Sequence, residues 1–144
     1  MLKKHVFWSS SAKSMQGGDE MESTSFLHIT VDGEISVVDI PREDLHRKVH
    51  EFIDCDIFEI VYLSNYGDLV MIVDESGKLY DKRVNPLASL LYPGTVYGDY
   101  IVGDVLLGKM TNIDGEFYIT GLYTPAIIYF TNYLTKFKES YYGK

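Results

Sequence analysis

The sequence predicts an α+β fold: a mostly antiparallel sheet with one helix after the first strand pair, a short second helix and a C-terminal helix. Short apolar runs recur at the spacing of strands in a compact domain. Turn dipeptides such as Asp32-Gly33 separate these runs, and cap signals such as Asn85-Pro86 precede helical stretches. The chain has 144 residues, of which 46% are apolar, enough to bury one sizeable core.

The first strand pair and first helix have strong local signals. Residues 26–31 and 34–40 are predicted strands, joined by Asp32-Gly33, a dipeptide that supplies the positive φ angles of a two-residue hairpin turn. Pro41 is predicted to open a helix that ends near Asp54, because proline is tolerated in the first helical turn. One apolar stripe of this helix is expected to cover a sheet face. It comprises Leu45, Val49, Phe52 and Ile53.

The remaining strands follow from apolar runs bounded by turn residues. Residues 57–63 and 69–73 are predicted to form a second hairpin. The other predicted strand segments are residues 78–80, 100–107 and 116–120, the last after a turn at residues 112–115.

Two further helices are predicted from cap and proline signals. Asn85 is a favourable N-cap for a short helix over residues 86–91, which begins with a proline. Thr124 precedes a second such proline, and the final helix is predicted over residues 125–138. Its apolar positions are Ile127, Phe130, Leu134 and Phe137, and Tyr141 continues the same spacing beyond its predicted end.

The chain is predicted to divide into three segments. Residues 1–25 are rich in Ser, Gly, Lys and Met without a sustained period, which indicates a flexible leader. Within this leader, the His-Val-Phe-Trp cluster at residues 5–8 could add a strand or fill a groove. Residues 26–110 are the predicted α+β core domain, and residues 111–144 are a hairpin and C-terminal helix packed on that core.

Composition limits the compartment and the partners. The single cysteine, Cys55, cannot form an internal disulfide, so we expect a cytoplasmic protein. No apolar run reaches the roughly 18 residues of a membrane-spanning helix, so we expect no membrane contact. The net charge is −8, and residues 32–104 hold 15 acidic against 6 basic residues, a net charge of −9. This excess disfavours direct nucleic-acid binding, and it favours basic protein surfaces or simply solubility.

No motif supplies a catalytic set, a metal site or a cofactor site. His46 and His50 share one helical face but have no clear third ligand nearby. Residues 103–109 match the spacing G-x-x-x-x-G-K, yet Met110 stands where a phosphate loop needs Ser or Thr. Two aspartates flank Cys55 and disfavour its thiolate. Whether the protein is an enzyme stays open, and the absence of a catalytic set argues against it.

The candidate binding residues lie on a tyrosine-rich and glycine-rich stretch. Tyrosine offers a large contact area with a polar tip, and loops on a rigid scaffold commonly carry function, so the loop over residues 93–99 is the predicted binding edge. Half-buried structural positions are the alternative interpretation of the same tyrosines. The candidate residues for a ligand or partner are Tyr92, Tyr97, Asp99, Tyr100 and Asp104.

Several segments together resemble a known family. They are the strand pair over residues 26–40 that ends in an isoleucine, the turn Asp-Glu-Ser-Gly-Lys-Leu at residues 74–79, Asn85-Pro86, and the strand Tyr-Ile-Val-Gly-Asp at residues 100–104. Over about residues 26–109 the chain resembles the small proteins of phages, plasmids and integrative elements that form the domain of unknown function DUF3846. The matching positions belong to turns, caps and strands, so the resemblance implies no catalytic residue.

The resemblance implies a protein that is encoded on a mobile element, and it does not imply a particular reaction. Small acidic proteins on mobile elements often block host defences, so the resemblance implies a non-catalytic protein, in the host cytoplasm if phage-encoded, that binds and inhibits a host factor or sequesters a small ligand. One alternative is a small hydrolase that uses carboxylates at the edge formed by residues 93–104. Another is an accessory protein of element replication or transfer.

Overall fold

A computed structural model of the chain describes residues 22–142. It confirms the predicted α+β class, with a six-stranded sheet and three α-helices. The elements are β1 Ser25–Ile29, β2 Ile35–Asp39, α1 Leu45–Ile53, β3 Phe58–Tyr62, β4 Leu69–Asp74, α2 Pro86–Leu91, β5 Val105–Ile113, β6 Glu116–Thr120 and α3 Thr124–Tyr141.

The strands of the sheet lie in the order β2-β1-β5-β4-β3, and every named pair is antiparallel. The long strand β5 pairs with β1 through residues 105–107 and with β6 through residues 109–113. The Gly121 amide then donates to the Ser23 carbonyl, which links the end of β6 to the chain entering β1. A Cβ atom on Gly121 would overlap the backbone of Ser25, so this approach requires glycine.

Helices cover both faces of the sheet. Helix α1 buries Leu45, Val49 and Ile53 against one face, which confirms most of its predicted stripe, while Phe52 is partly buried there. Helices α2 and α3 cover the other face. All six residues of β4 are buried, because this central strand has a helical layer on each side.

The first hairpin forms as predicted, but its turn is longer. Thr30 donates its amide to Glu34, and Gly33 donates to Thr30, which encloses a three-residue loop. The glycine has a φ of 88°, whereas Asp32 is not among the positive-φ residues. The β5–β6 turn is the two-residue type instead, since Asp114 and Gly115 have φ angles of 53° and 87°.

Several predicted element boundaries are wrong. Pro41 is extended rather than helical, and a single 3₁₀ turn over Arg42–Asp44 precedes α1, which begins at Leu45. Residues 78–80 form turns rather than a strand, because β4 already pairs with β3 on one side and β5 on the other. The strand predicted over residues 100–107 begins only at Val105, and before it Val102 forms a single bridge to Val84. The strand continues to Ile113, so the first two residues of the turn predicted at residues 112–115 belong to β5. Helix α3 begins at Thr124, with Tyr123 rather than the predicted Thr124 as its N-cap residue, and it ends three residues later than predicted.

The end of the predicted leader belongs to the folded chain. Ser23 donates its hydroxyl to the Leu122 carbonyl at 2.6 Å, and Glu22 pairs with Arg42 at 2.9 Å. Ser25 is already the first residue of β1. Residues 1–21, including the cluster at residues 5–8, lie outside the described residues.

Residues 22–142 contain no helix that is both long enough and apolar enough to cross a membrane.

Candidate functional site

A cavity of about 200 Å³ opens beside the end of β4, where β3 and β4 face the segment over residues 92–102. Acidic side chains, two tyrosines and one lysine surround an apolar wall. The lining residues are Glu59, Val61, Val73, Asp74, Glu75, Lys78, Tyr92, Asp99, Tyr100, Ile101 and Val102. Three of the five sequence-predicted binding residues, Tyr92, Asp99 and Tyr100, therefore lie in one cavity.

Buried Ser89 in α2 holds the segment that carries these residues. Its Oγ accepts the Ile101 amide at 2.9 Å, and it lies 3.3 Å from the Ile101 carbonyl, to which it donates. The Ser89 carbonyl accepts the Thr95 hydroxyl at 2.6 Å. One helical residue thus fixes the segment at two points, so the cavity wall is attached to the core.

Asn85 attaches α2 to the sheet. Its side-chain oxygen accepts the Ala88 amide at 3.0 Å, which is the N-cap bond that the sequence predicts. Its amide nitrogen donates to the carbonyls of Ile29 at 3.1 Å and Gly103 at 2.9 Å. Because Asn85 is fully buried and its side chain bonds three partners, it joins β1, α2 and the chain leaving the cavity.

Asp99 is the centre of the polar side of the cavity. Tyr92 donates its hydroxyl to Asp99 Oδ2 at 2.9 Å, and the Tyr100 amide donates to Asp99 Oδ1 at 2.8 Å. Lys78 also pairs with Asp99 Oδ1. The same lysine Nζ lies 4.3 Å from the centroid of the Tyr100 ring, so an ammonium group sits between a carboxylate and an aromatic face.

These contacts favour an ionised carboxylate beside a protonated phenol. The hydrogen bond from Lys78 is the largest of the effects that lower the pKa of Asp99, and the Tyr100 amide adds to it. Burial, followed by the hydrogen bond to Asp99, raises the pKa of Tyr92. At neutral pH Asp99 is therefore a carboxylate that pairs with Lys78 and accepts the hydroxyl of Tyr92.

Gly94 makes room for the Tyr92 ring. A Cβ atom at Gly94 would lie 2.5 Å from Tyr92 Cζ and 2.7 Å from its hydroxyl oxygen. Side chains cannot approach so closely, so any other residue at this position would displace the phenol that bonds Asp99.

Two of the five sequence-predicted residues lie away from the cavity. Tyr97 is 90% exposed, next to Val96, which is 84% exposed, and both stand at the tip of the loop. Asp104 accepts the Val31 amide at 2.9 Å and so supports the loop of the first hairpin. Sequence reasoning missed Lys78 as a cavity residue, because no local pattern indicates that its turn lies beside Asp99.

The rings of the histidine pair predicted to share one helical face are close together. The rings of His46 and His50 lie 5.0 Å apart, and His50 Nδ1 is 2.7 Å from the Cys55 carbonyl. Within residues 22–142, no group of three or more His, Cys, Asp or Glu residues is placed to hold a metal ion. Burial, and then the charge of Asp74, raises the pKa of the Cys55 thiol to about 11.

Comparison with known proteins identifies the family. No curated protein and no solved structure is significantly similar to this chain. A family model described as Domain of unknown function (DUF3846) matches residues 23–124, which include every strand and the whole cavity. The match covers well over half of the 144 residues. The chain therefore belongs to the DUF3846 family, a domain of unknown function.

Proposed function

We propose that this protein is a non-catalytic binding protein, which attaches to a basic host protein through the cavity and the neighbouring loop tip and thereby inhibits it. The observation that carries the proposal is the Asp99 carboxylate, which accepts the Tyr92 hydroxyl and the Tyr100 amide on a segment fixed to the core. The hydrogen bond from Lys78 is the largest effect that lowers the pKa of this carboxylate and keeps it ionised. Such a pre-organised site suits recognition, since little ordering is needed when a partner binds.

The carboxylates of the cavity support binding better than catalysis. A hydrolase that uses paired carboxylates needs one acid whose pKa is raised, so that it can donate a proton. The pKa of Asp99 is lowered instead. Asp74 accepts the Ser76 amide at 2.9 Å and pairs with Lys82 at 2.7 Å, so both of its oxygens already have structural partners. The alternative of a small hydrolase is therefore less favoured.

The loop tip supplies an apolar contact beside the charged cavity. Val96 and Tyr97 are the most exposed of the large hydrophobic side chains in the described chain. An exposed aromatic side chain next to a fixed charge is typical of the anchors of protein interfaces. The net charge of −8 favours a basic partner and disfavours nucleic acid. The mobile-element setting that the sequence resemblance implies would place such a role in the host cytoplasm.

Affinity capture with loop-tip variants tests the proposal. The tagged full chain is recovered from a bacterial host lysate, and proteins and released small molecules are identified by mass spectrometry. We expect a stoichiometric protein companion that is lost with the double variant V96S/Y97A. Tyr129→Ala is the matched control, because Tyr129 is also exposed but lies on α3. A companion retained by the double variant, or a small molecule in its place, would contradict the proposal.

A further inference from the structure

We infer that the cavity binds the cationic end of a lysine or arginine side chain from a basic protein segment, and that Lys78 is an internal competitor for this position. This inference rests on the proposed function, because it names the chemical group that the partner brings to the same site.

The position of Lys78 shows which group the cavity holds. Its Nζ pairs with the Asp99 carboxylate and lies 4.3 Å from the centroid of the Tyr100 ring. A carboxylate and an aromatic face together match an ammonium or guanidinium group, which gains both an ion pair and a cation–π contact. The same two surfaces would therefore hold a cation from another chain if Lys78 moved away.

The charge balance of the cavity also favours a further cation. Lys82 pairs with Asp74, and among the described lining residues Lys78 is then the one basic side chain beside Glu75 and Asp99. Two carboxylates against one ammonium leave an excess of negative charge. That excess attracts cations and repels phosphates and carboxylates.

Lys78 can leave without disturbing the core. Its side chain is 48% exposed, and exposed ion pairs contribute little to stability. The next two residues, Leu79 and Tyr80, are 80% and 66% exposed. The turn is anchored on either side, by Gly77 against Val102 and by Lys82 against Asp74. Displacement of Lys78 therefore requires movement only of exposed residues.

Titration of small cations into the full chain tests the inference. The probes are butylammonium and ethylguanidinium ions, with butyrate as the anionic control, and binding is followed by NMR at the Asp99 and Tyr100 amides. We expect Lys78→Ala to bind both cations about tenfold more tightly than the wild type, because an exposed ion pair and a cation–π contact no longer compete. Lys109→Ala is the matched control, since Lys109 lies over the Tyr123 ring elsewhere in the chain.

The role of the carboxylate is tested in the same background. We expect the double variant K78A/D99N to lose the cation affinity that K78A gains, with an unfolding midpoint close to that of K78A. Equal cation binding by K78A and the wild type would overturn the inference, and so would full binding by K78A/D99N. A lysine-containing tripeptide that binds K78A more weakly than butylammonium would overturn the assignment to a protein side chain.

The two proposals fail in different ways. If the cations do not bind K78A, the inference is wrong, whereas a companion protein lost with V96S/Y97A still supports the proposed function. If the cations bind but no companion protein is captured, the proposed function is wrong and the cavity is a site for free amines.

Discussion

Replacement of Asn85 by alanine should destabilise the protein strongly, because this side chain joins three parts of the fold. It is fully buried and makes three hydrogen bonds, to Ala88, Ile29 and Gly103. Alanine removes the N-cap of α2 and leaves two buried carbonyl groups without their amide donor. The same bonds fix the segment that carries the cavity, so a change in stability and a change in the site are expected together.

The expected loss is the sum of these contributions. Loss of an N-cap costs about 1 kcal/mol, and each carbonyl left without its donor costs about another 1 kcal/mol, so the free energy of unfolding should fall by about 3 kcal/mol. Asn85→Ser should lose about 1 kcal/mol less, because its hydroxyl can still cap α2. The difference between the two variants therefore isolates the contribution of the cap.

Urea unfolding followed by circular dichroism measures these changes. We expect lower unfolding midpoints with an unchanged dependence on urea, since the folded state should bury a similar surface. Asn132→Ala, on the exposed side of α3, should change the free energy of unfolding by less than about 0.5 kcal/mol. A loss of less than about 1 kcal/mol for Asn85→Ala would contradict this prediction, because it would show that the two carbonyls do not depend on this side chain.

Three further predictions concern the cavity and the cysteine. Gly94→Ala should displace the Tyr92 ring and remove its hydrogen bond to Asp99. The free energy of unfolding should fall by about 1 kcal/mol, and Tyr92→Phe should lower it by the same amount. Unchanged NMR resonances of the Tyr92 ring in the Gly94→Ala variant would contradict this prediction. The pKa of Asp99 is lowered from 3.8, so its ion pair stabilises the fold fully above that pH and is lost as the pH falls through the lowered value. The stability difference between wild type and Asp99→Asn should then stay constant from neutral pH down to about pH 5 and shrink only below about pH 4, whereas a difference that already shrinks above pH 5 would argue for a raised pKa. The pKa of Cys55 is raised from 9.0 to about 11, which lowers the thiolate fraction at neutral pH roughly a hundredfold. Its alkylation by iodoacetamide should therefore be slow in the native protein and accelerate up to about pH 11, and a rate that levels off near pH 9 would show an ordinary thiol.

Elements whose beginning is specified by a few neighbouring residues could be predicted closely from the sequence. The Asn85-Pro86 pair indicates the beginning of α2, and the structure confirms the helix over Pro86–Leu91. A turn before β6 is confirmed at residues 114–115, and that strand runs over Glu116–Thr120 as predicted. In both cases the deciding interactions lie within four residues, so local sequence is sufficient.

Elements that depend on pairing could not be predicted in this way. Residues 78–80 have the composition of a strand, but in the folded sheet β3 and β5 occupy both sides of β4. The strand predicted to begin at residue 100 begins at Val105, where β1 is available as a partner. Strand boundaries follow from the neighbouring strands, and these are distant in sequence.

The fold class, the apolar stripe of the first helix, and the nearness of Tyr92, Asp99 and Tyr100 within nine positions of one another follow from the sequence alone. Which charge these three residues meet depends on the tertiary structure. It placed Lys78 against Asp99 and Tyr100, and it placed Asp104 at the first hairpin instead. The physical reason is that ion pairs and cavities form between segments brought together by the sheet, and no periodicity along the chain records that approach.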